Sequence, residues 1–252
     1  MFKSLFRRNQ RPALRCEATP GSRVYVVGDI HGRLDLLRRL HEMIAADAAD
    51  AGSLRKVLVY LGDYVDRGEE SRQVVQCLID ERLPGFEPVY LCGNHEEMML
   101  SFLNDVSVGA MWMYNGGDAT LYSYGVGLQE GATLEERHLM MQRKLRAALP
   151  ESHTKFLQGL KLYHVEGDYL FVHAGVLPGR PLEEQEARDM LWIRNEFIHS
   201  GADHGKCVVH GHTIVSAPDM RDNRIGIDTG AYYSGTLTCL VLEDAGRRLL
   251  QT

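Results

Sequence analysis

The chain has 252 residues, 44% of them hydrophobic and 25% charged, the balance of an ordinary globular protein able to bury one sizeable core. A formal net charge of −6 excludes the basic footprint that bulk nucleic-acid binding favours, though a local cluster of cations could still receive a small phosphorylated substrate. No run approaches the roughly 18 apolar residues that a membrane helix needs, and five widely spaced cysteines without a Cys-x-x-Cys pair fit reduced, cytoplasmic surroundings.

Residues 1–20 read as a flexible basic leader, carrying Lys3, Arg7, Arg8, Arg11 and Arg15 without the apolar stretch of a signal peptide. The remainder, 21–252, reads as a single domain. It opens with a β-rich run at 23–27 that ends at Gly28-Asp29, followed by Leu34, Leu37, Leu40, His41 and Ile44 at helical spacing. A second buried strand at 57–61 ends at Gly62-Asp63, and 71–82 reads as the next helix. A third strand at 88–92 ends at Gly93-Asn94, with a helix starting near Glu96. This threefold strand–motif–helix rhythm argues for βαβ units, with the site beyond the carboxyl ends of the strands.

Residues 105–160 break the rhythm and read as a helical, cap-like insertion, with a charged amphipathic helix at 134–148. Trp112 and Met113 are expected in its core; Trp112, Asn115 and Tyr124 are weaker candidates for the substrate cleft. Strands return at 169–173, 206–210, 224–228 and 237–242, two of them ending in histidine.

Five motifs gather the chemistry: Gly28-Asp29-Ile30-His31-Gly32, Gly62-Asp63-Tyr64-Val65-Asp66-Arg67-Gly68, Gly93-Asn94-His95-Glu96, His173-Ala174-Gly175 and His210-Gly211-His212. Carboxylate, amide and imidazole donors suit borderline divalent ions such as Mn²⁺, Fe²⁺ or Zn²⁺, and the lack of a cysteine ligand disfavours structural zinc. Two ions roughly 3.5–4 Å apart need a shared carboxylate, for which Asp63 is the natural choice. Glycines at strand ends let the ligands converge without Cβ clashes.

These motifs, in this order and across roughly residues 23–230, resemble the phosphoprotein phosphatase family of calcineurin-like metallophosphoesterases, in its compact bacterial and phage serine/threonine phosphatase form. The resemblance implies a four-layer αββα sandwich of two mixed β-sheets flanked by helices. It further implies that Asp29 and His31 hold one ion, that Asn94, His173 and His212 hold the second, and that Asp63 bridges them. Two ions, Mn²⁺ foremost with Fe or Zn as alternatives, lower the pKa of a shared water, so that a bridging hydroxide can attack phosphorus. His95 is the expected general acid and Asp66 its orienting partner. Arg67 and Arg194 are the expected phosphate clamps, with Asn94 also touching substrate. His210 is expected to be hydrogen-bonded behind the site, and Asp228 either to shape its wall or to cap a turn. Arg33, Arg38 and Arg72 suit surface ion pairs.

The expected activity is hydrolysis of phosphomonoesters, foremost phosphoserine and phosphothreonine in proteins, by a monomer. Dinucleoside polyphosphate hydrolysis is the sister reading, along with nucleotide or small-metabolite phosphatase activity. That sister branch lacks an Asp at the position of Asp66 and has Asp where this chain has Glu96. A non-catalytic module should have lost ligands or the general acid, and a nuclease is disfavoured by the net charge and by the second motif.

Overall fold

In the computed structural model of the chain, residues 16–127, 130 and 133–252 are described. The elements run β1 (Ser22–Val27), α1 (Leu34–Asp47), β2 (Arg55–Tyr60), α2 (Ser71–Asp80), β3 (Phe86–Tyr90) and α3 (Asn94–Asn104). Four helices follow: α4 (Gly109–Tyr114), α5 (Gly117–Ser123), α6 (Leu134–Ala148) and α7 (Glu151–Gln158). The second half holds β4 (Tyr163–Glu166), β5 (Tyr169–Val172), α8 (Ala187–Trp192), α9 (Asn195–Ile198), β6 (Cys207–His210), β7 (Asp219–Met220), β8 (Arg224–Gly226), α10 (Ala231–Ser234), β9 (Thr238–Glu243) and β10 (Gly246–Gln251).

Two five-stranded mixed sheets result, ordered β10-β9-β1-β2-β3 and β4-β5-β6-β8-β7. The centre of each is parallel: β1 pairs with β2 and β2 with β3, while β5 pairs with β6 and β6 with β8. Antiparallel strands close three of the four edges, at β10, β4 and β7, and the parallel β3 forms the fourth.

Alternation along β1 shows how the layers form. Val24 and Val26 point between the sheets with Val57, Val59, Phe171, Val209 and Ile225. Tyr25 and Val27 point the other way, into the helical layer with Leu37, Leu40, Val74 and Leu78. The outer face of the second sheet packs Leu170, Val172 and Val208 against Met190, Ile193 and Phe197. Strands covered on both faces must be apolar throughout, which is why the central runs lack polar residues. Burial of each such Val or Leu contributes about 1.5–3 kcal/mol. The fold is therefore the four-layer αββα sandwich that the family resemblance implied.

Three boundaries differ from the sequence reading. The third helix begins at Asn94 rather than Glu96, because the Gly93 amide is capped by the Glu96 carboxylate (2.9 Å). Cys92, expected inside a strand, lies past the end of β3 and is half-buried. Residues 16–20, expected in the leader, are tied down: Ala18 donates to Asp244, and Tyr169 Oη donates to the Cys16 carbonyl. The rest of the expected leader, 1–15, lies outside the described residues, as do 128, 129, 131 and 132 of the insertion.

The insertion is helical, and α6 spans the expected residues 134–148, opened by a Thr133–Glu136 capping box. Among the described residues, no helix is long and apolar enough to cross a membrane.

Candidate metal centre

The candidate residues sit where parallel strands end, and the backbone is bent hard to bring them together. Six described non-glycine residues have positive φ, and five of them, His31, Asp63, Asp66, Arg67 and His212, belong to the site. Such left-handed backbone costs energy and persists where surrounding contacts over-determine it. Gly62 (φ 107°) and Gly93 make the closest approach. A Cβ on Gly62 would fall 2.5 Å from the Gly93 nitrogen, and one on Gly93 would fall 2.1 Å from Asp63 Oδ1.

Asp63 is the centre. His31 Nε2 lies 3.4 Å from Asp63 Oδ2, and His173 Nε2 lies 3.4 Å from Asp63 Oδ1. His173 Nε2 is also 2.9 Å from Asn94 Oδ1 and 3.2 Å from His212 Nδ1. Asp29 Oδ2 accepts from the His212 amide (2.9 Å), while its Oδ1 is buried with no partner. Both His31 and His173 place Nδ1 on a main-chain carbonyl, of Val65 (2.9 Å) and Leu61 (3.0 Å). A neutral ring bonded that way donates from Nδ1 and turns the Nε2 lone pair inward.

The interior thus concentrates acceptors, lone pairs facing carboxylate and amide oxygens with no proton between them. Burial drives His31 down to about 3 and His212 to about 2, and lowers His173 as well, so all three remain neutral, the form in which an imidazole can ligate a metal. Burial alone would raise Asp63, yet its carboxyl is held below the usual range; with His173 and His31 neutral, His95 is the neighbour that supplies the opposing charge. Asp29 is pushed well above the usual range by burial, then by Asp228 and Asp63. Two groups of ligand atoms, His31–Asp63–His95 and Asp63–His173–His212, share Asp63. This donor set, with its orphaned carboxylate oxygen, fits two divalent cations.

Proximity puts His95, rather than Asp29, in the first group. Its bonds argue for a different use. His95 Nδ1 is 2.7 Å from Asp66 Oδ2, and its Nε2 is 3.3 Å from Arg67 Nη2, a neighbour that repels a cation. Burial opposes protonation of His95, but Asp63 and the hydrogen-bonded Asp66 prevail and raise its pKa above the ordinary value.

Asp66 is itself over-determined. Trp112 Nε1 donates to both of its oxygens (3.1 and 2.9 Å), and Thr120 Oγ1 donates to Oδ1 (2.6 Å). Trp112 is fully buried, so it is core as expected, yet its indole N–H reaches the site from below. Asn115 bonds Met111 and Tyr124 bonds His153, so neither reaches the metal groups.

Two further roles escaped the sequence reading, those of Glu96, which the third motif includes, and of Thr120. Glu96 is fully buried and accepts from the amides of Asp63, Tyr64, Val65 and Gly93 (2.7–3.2 Å), clamping the turn that carries Asp63. Its place three residues after a glycine N-cap was a usable signal. Thr120 had none, being one hydroxyl in a helical stretch.

The remaining candidates occupy plainer positions. Arg194 caps α9, is exposed, and donates to the His212 carbonyl (3.1 Å). His210 is buried behind the site between the Gly211 carbonyl and Arg224. Asp228 is buried beside Asp29, and its Oδ1 accepts from the Gly230 amide, so it both lines the wall and holds a turn. Arg33 and Arg38 make surface ion pairs with Asp35 and Glu81; Arg72 uses its amide, on Ser123.

Residues 22–239 match the calcineurin-like phosphoesterase family. Serine/threonine-protein phosphatase 1 of Salmonella typhimurium is 30% identical over 233 residues, covering 89% of this chain and 94% of that protein. The symmetrical bis(5'-nucleosyl)-tetraphosphatase of Aromatoleum aromaticum is 30% identical over 164 residues, 65% of this chain and 48% of that protein. The solved cold-active protein-tyrosine phosphatase of a psychrophilic Shewanella species superposes with a TM-score of 0.60 at 17% identity, covering 91% of this chain and 80% of that one.

Proposed function

The chain belongs to the calcineurin-like phosphoesterase family, and from that premise we propose a dinuclear-metal phosphatase acting on phosphoserine and phosphothreonine in proteins or peptides. It is a hydrolase of phosphoesters; the phosphoprotein substrate is our reading. The observation that carries it is the His95–Asp66 pair, 2.7 Å apart at the edge of the two ligand groups that share Asp63.

Asp29, His31 and Asp63 would hold one divalent ion, and Asp63, Asn94, His173 and His212 the other, with Mn²⁺ the preferred occupant and Fe or Zn alternatives. When bound, the ions supply an acidified water as nucleophile and neutralise phosphoryl charge. Arg67 and Arg194 bind the phosphoryl oxygens through paired N–H groups, and the Asn94 amide contacts the same group. As the P–O bond to the serine or threonine oxygen breaks, His95 Nε2 delivers a proton to that oxygen. Asp66 holds the opposite ring nitrogen, and so fixes both the ring plane and the charge that the acid form carries. Trp112 and Thr120 keep Asp66 from turning away. We place the enzyme in the cytoplasm as a monomer.

The similarity to a bis(5'-nucleosyl)-tetraphosphatase favours one alternative, cleavage of dinucleoside polyphosphates. One parallel assay of the Mn²⁺-supplied protein separates them, on a phosphoserine peptide, p-nitrophenyl phosphate and diadenosine tetraphosphate. Phosphate release from the peptide, lost in His95→Asn, is the expected result. Preferential splitting of the dinucleotide would replace this reading with the alternative, and silence on all three would overturn both.

A further inference from the structure

Arg67 poses a problem for a phosphate clamp. A guanidinium beside a metal centre needs fixing in one orientation, and in proteins the usual fixing agent is a carboxylate. Among the described residues, no carboxylate lies within ion-pairing distance of Arg67. A carboxylate there would in any case compete with the phosphoryl group for the same N–H donors. An aromatic face would hold the cation through its quadrupole without occupying the in-plane donors, one of which, Nη2, lies 3.3 Å from His95 Nε2.

Such a face is present. The Arg67 guanidinium carbon lies 4.8 Å from the centroid of the Tyr232 ring. The same ring meets His31 edge-to-face, with centroids 5.5 Å apart and planes at 82°, so it spans a candidate ligand and the clamp. Tyr232 sits in the short helix α10, between Gly230 (φ 67°) and Gly235 (φ 73°). Arg33 Nη1 donates to the Ala231 carbonyl (2.9 Å), and the Gly230 amide donates to Asp228 Oδ1 (2.9 Å). The first bond ties α10 to the residue that follows the first site motif, and the second holds the turn that leads into α10. On its other side, Arg67 donates its amide to the Gly116 carbonyl (3.1 Å), and Gly116 leaves no room for a side chain: a Cβ there would fall 2.9 Å from Arg67 Cγ.

We propose that Tyr232 is a positioning residue for phosphate capture, its ring holding the Arg67 guanidinium while the Gly116 turn holds the backbone and Cγ of the same residue, so that the N–H edge faces the bound phosphoryl dianion. The proposal rests on the assignment of Arg67 to phosphate made above. The ring does the holding, so Tyr232→Phe should preserve it, while Tyr232→Leu keeps bulk and removes the π face.

The test is calorimetric titration of orthophosphate into the Mn²⁺-loaded full chain, alongside kinetics on p-nitrophenyl phosphate. Tyr232→Leu should weaken orthophosphate about three- to ten-fold, with KM rising more than kcat falls, and Tyr232→Phe should stay within about two-fold of the parent. In an Arg67→Ala background, Tyr232→Leu should add nothing, because the partner is gone. Unchanged orthophosphate affinity in Tyr232→Leu, loss in Tyr232→Phe equal to that in Tyr232→Leu, or a full effect persisting without Arg67 would each overturn the proposal. Orthophosphate binding by a parent that hydrolyses no phosphoester would instead contradict the proposed function, and the Tyr232 comparison would still be read.

Discussion

His95 lies within reach of two carboxylates, Asp63 (3.8 Å from Nε2) and Asp66 (2.7 Å from Nδ1), while the Arg67 guanidinium lies 3.3 Å from Nε2. Its role can be tested through the leaving group. His95→Asn should lower kcat on a phosphoserine peptide about 10²- to 10⁴-fold, and less on p-nitrophenyl phosphate, whose phenolate leaves without a proton. Equal losses on both substrates would contradict a general acid. Asp66 and Asp63 raise the imidazole above its ordinary value, so the acid form should persist past the range of a free histidine. Removing the nearer negative charge removes a raising influence, so Asp66→Asn should shift the alkaline limb of the kcat–pH profile downward. A limb that stays put would show that Asp66 does not govern that proton. At this scale, Asp29, Asp63, Asn94 and His212 were legible because each follows a glycine, and His173 and His210 because each ends an apolar run; His31 and His95 were legible only as members of the motifs that carry the family resemblance. Trp112 and Thr120 were not: their donors act 46 and 54 positions along the chain from Asp66, and only folding brings them there.

At the scale of elements, the turn after β2 depends on one buried carboxylate. Glu96 receives two amides on each oxygen, a pattern that an amide side chain cannot copy, because its NH₂ would face two N–H donors. Glu96→Gln should therefore cost about 1–3 kcal/mol in urea unfolding and weaken Mn²⁺ uptake, since Asp63 rides on that turn. Wild-type stability and metal affinity in the variant would remove this role. Helix α1 offers a pH test remote from the site. His41 bonds Tyr60 Oη (2.8 Å) on the buried face, and burial lowers its pKa to about 4. Between about pH 6.5 and 4 the unfolded chain binds this proton and the folded chain does not, so stability falls as pH falls. The loss from pH 7 to 5 should be about 2 kcal/mol, and His41→Gln should remove that part of the slope. An unchanged slope would show that His41 is not its source. Central strands and α1, α2 and α6 were readable from apolar runs and helical spacing. The edge strands β4, β7 and β10 were not, because they are half-solvated or very short; β10 reads Gly-Arg-Arg-Leu-Leu-Gln with no clean alternation.

Across the whole molecule, the site is the seam where two sheets meet: Asp29, Asp63 and Asn94 come from one, His173 and His212 from the other. Cations held there would join the sheets, so metal should stabilise the fold as well as activate it. At 100-fold excess over its dissociation constant, Mn²⁺ should add about 2.7 kcal/mol, and a chelator should lower the melting temperature and abolish hydrolysis until Mn²⁺ is restored. A melting temperature indifferent to chelator would argue against ions at the seam. The most direct test of the central claim is anomalous diffraction from Mn²⁺-loaded crystals. The account predicts two manganese peaks flanking the Asp63 carboxylate, one contacted by Asp29 and His31, the other by Asn94, His173 and His212, with His95 touching neither. A single peak, or a peak ligated by His95, would contradict it.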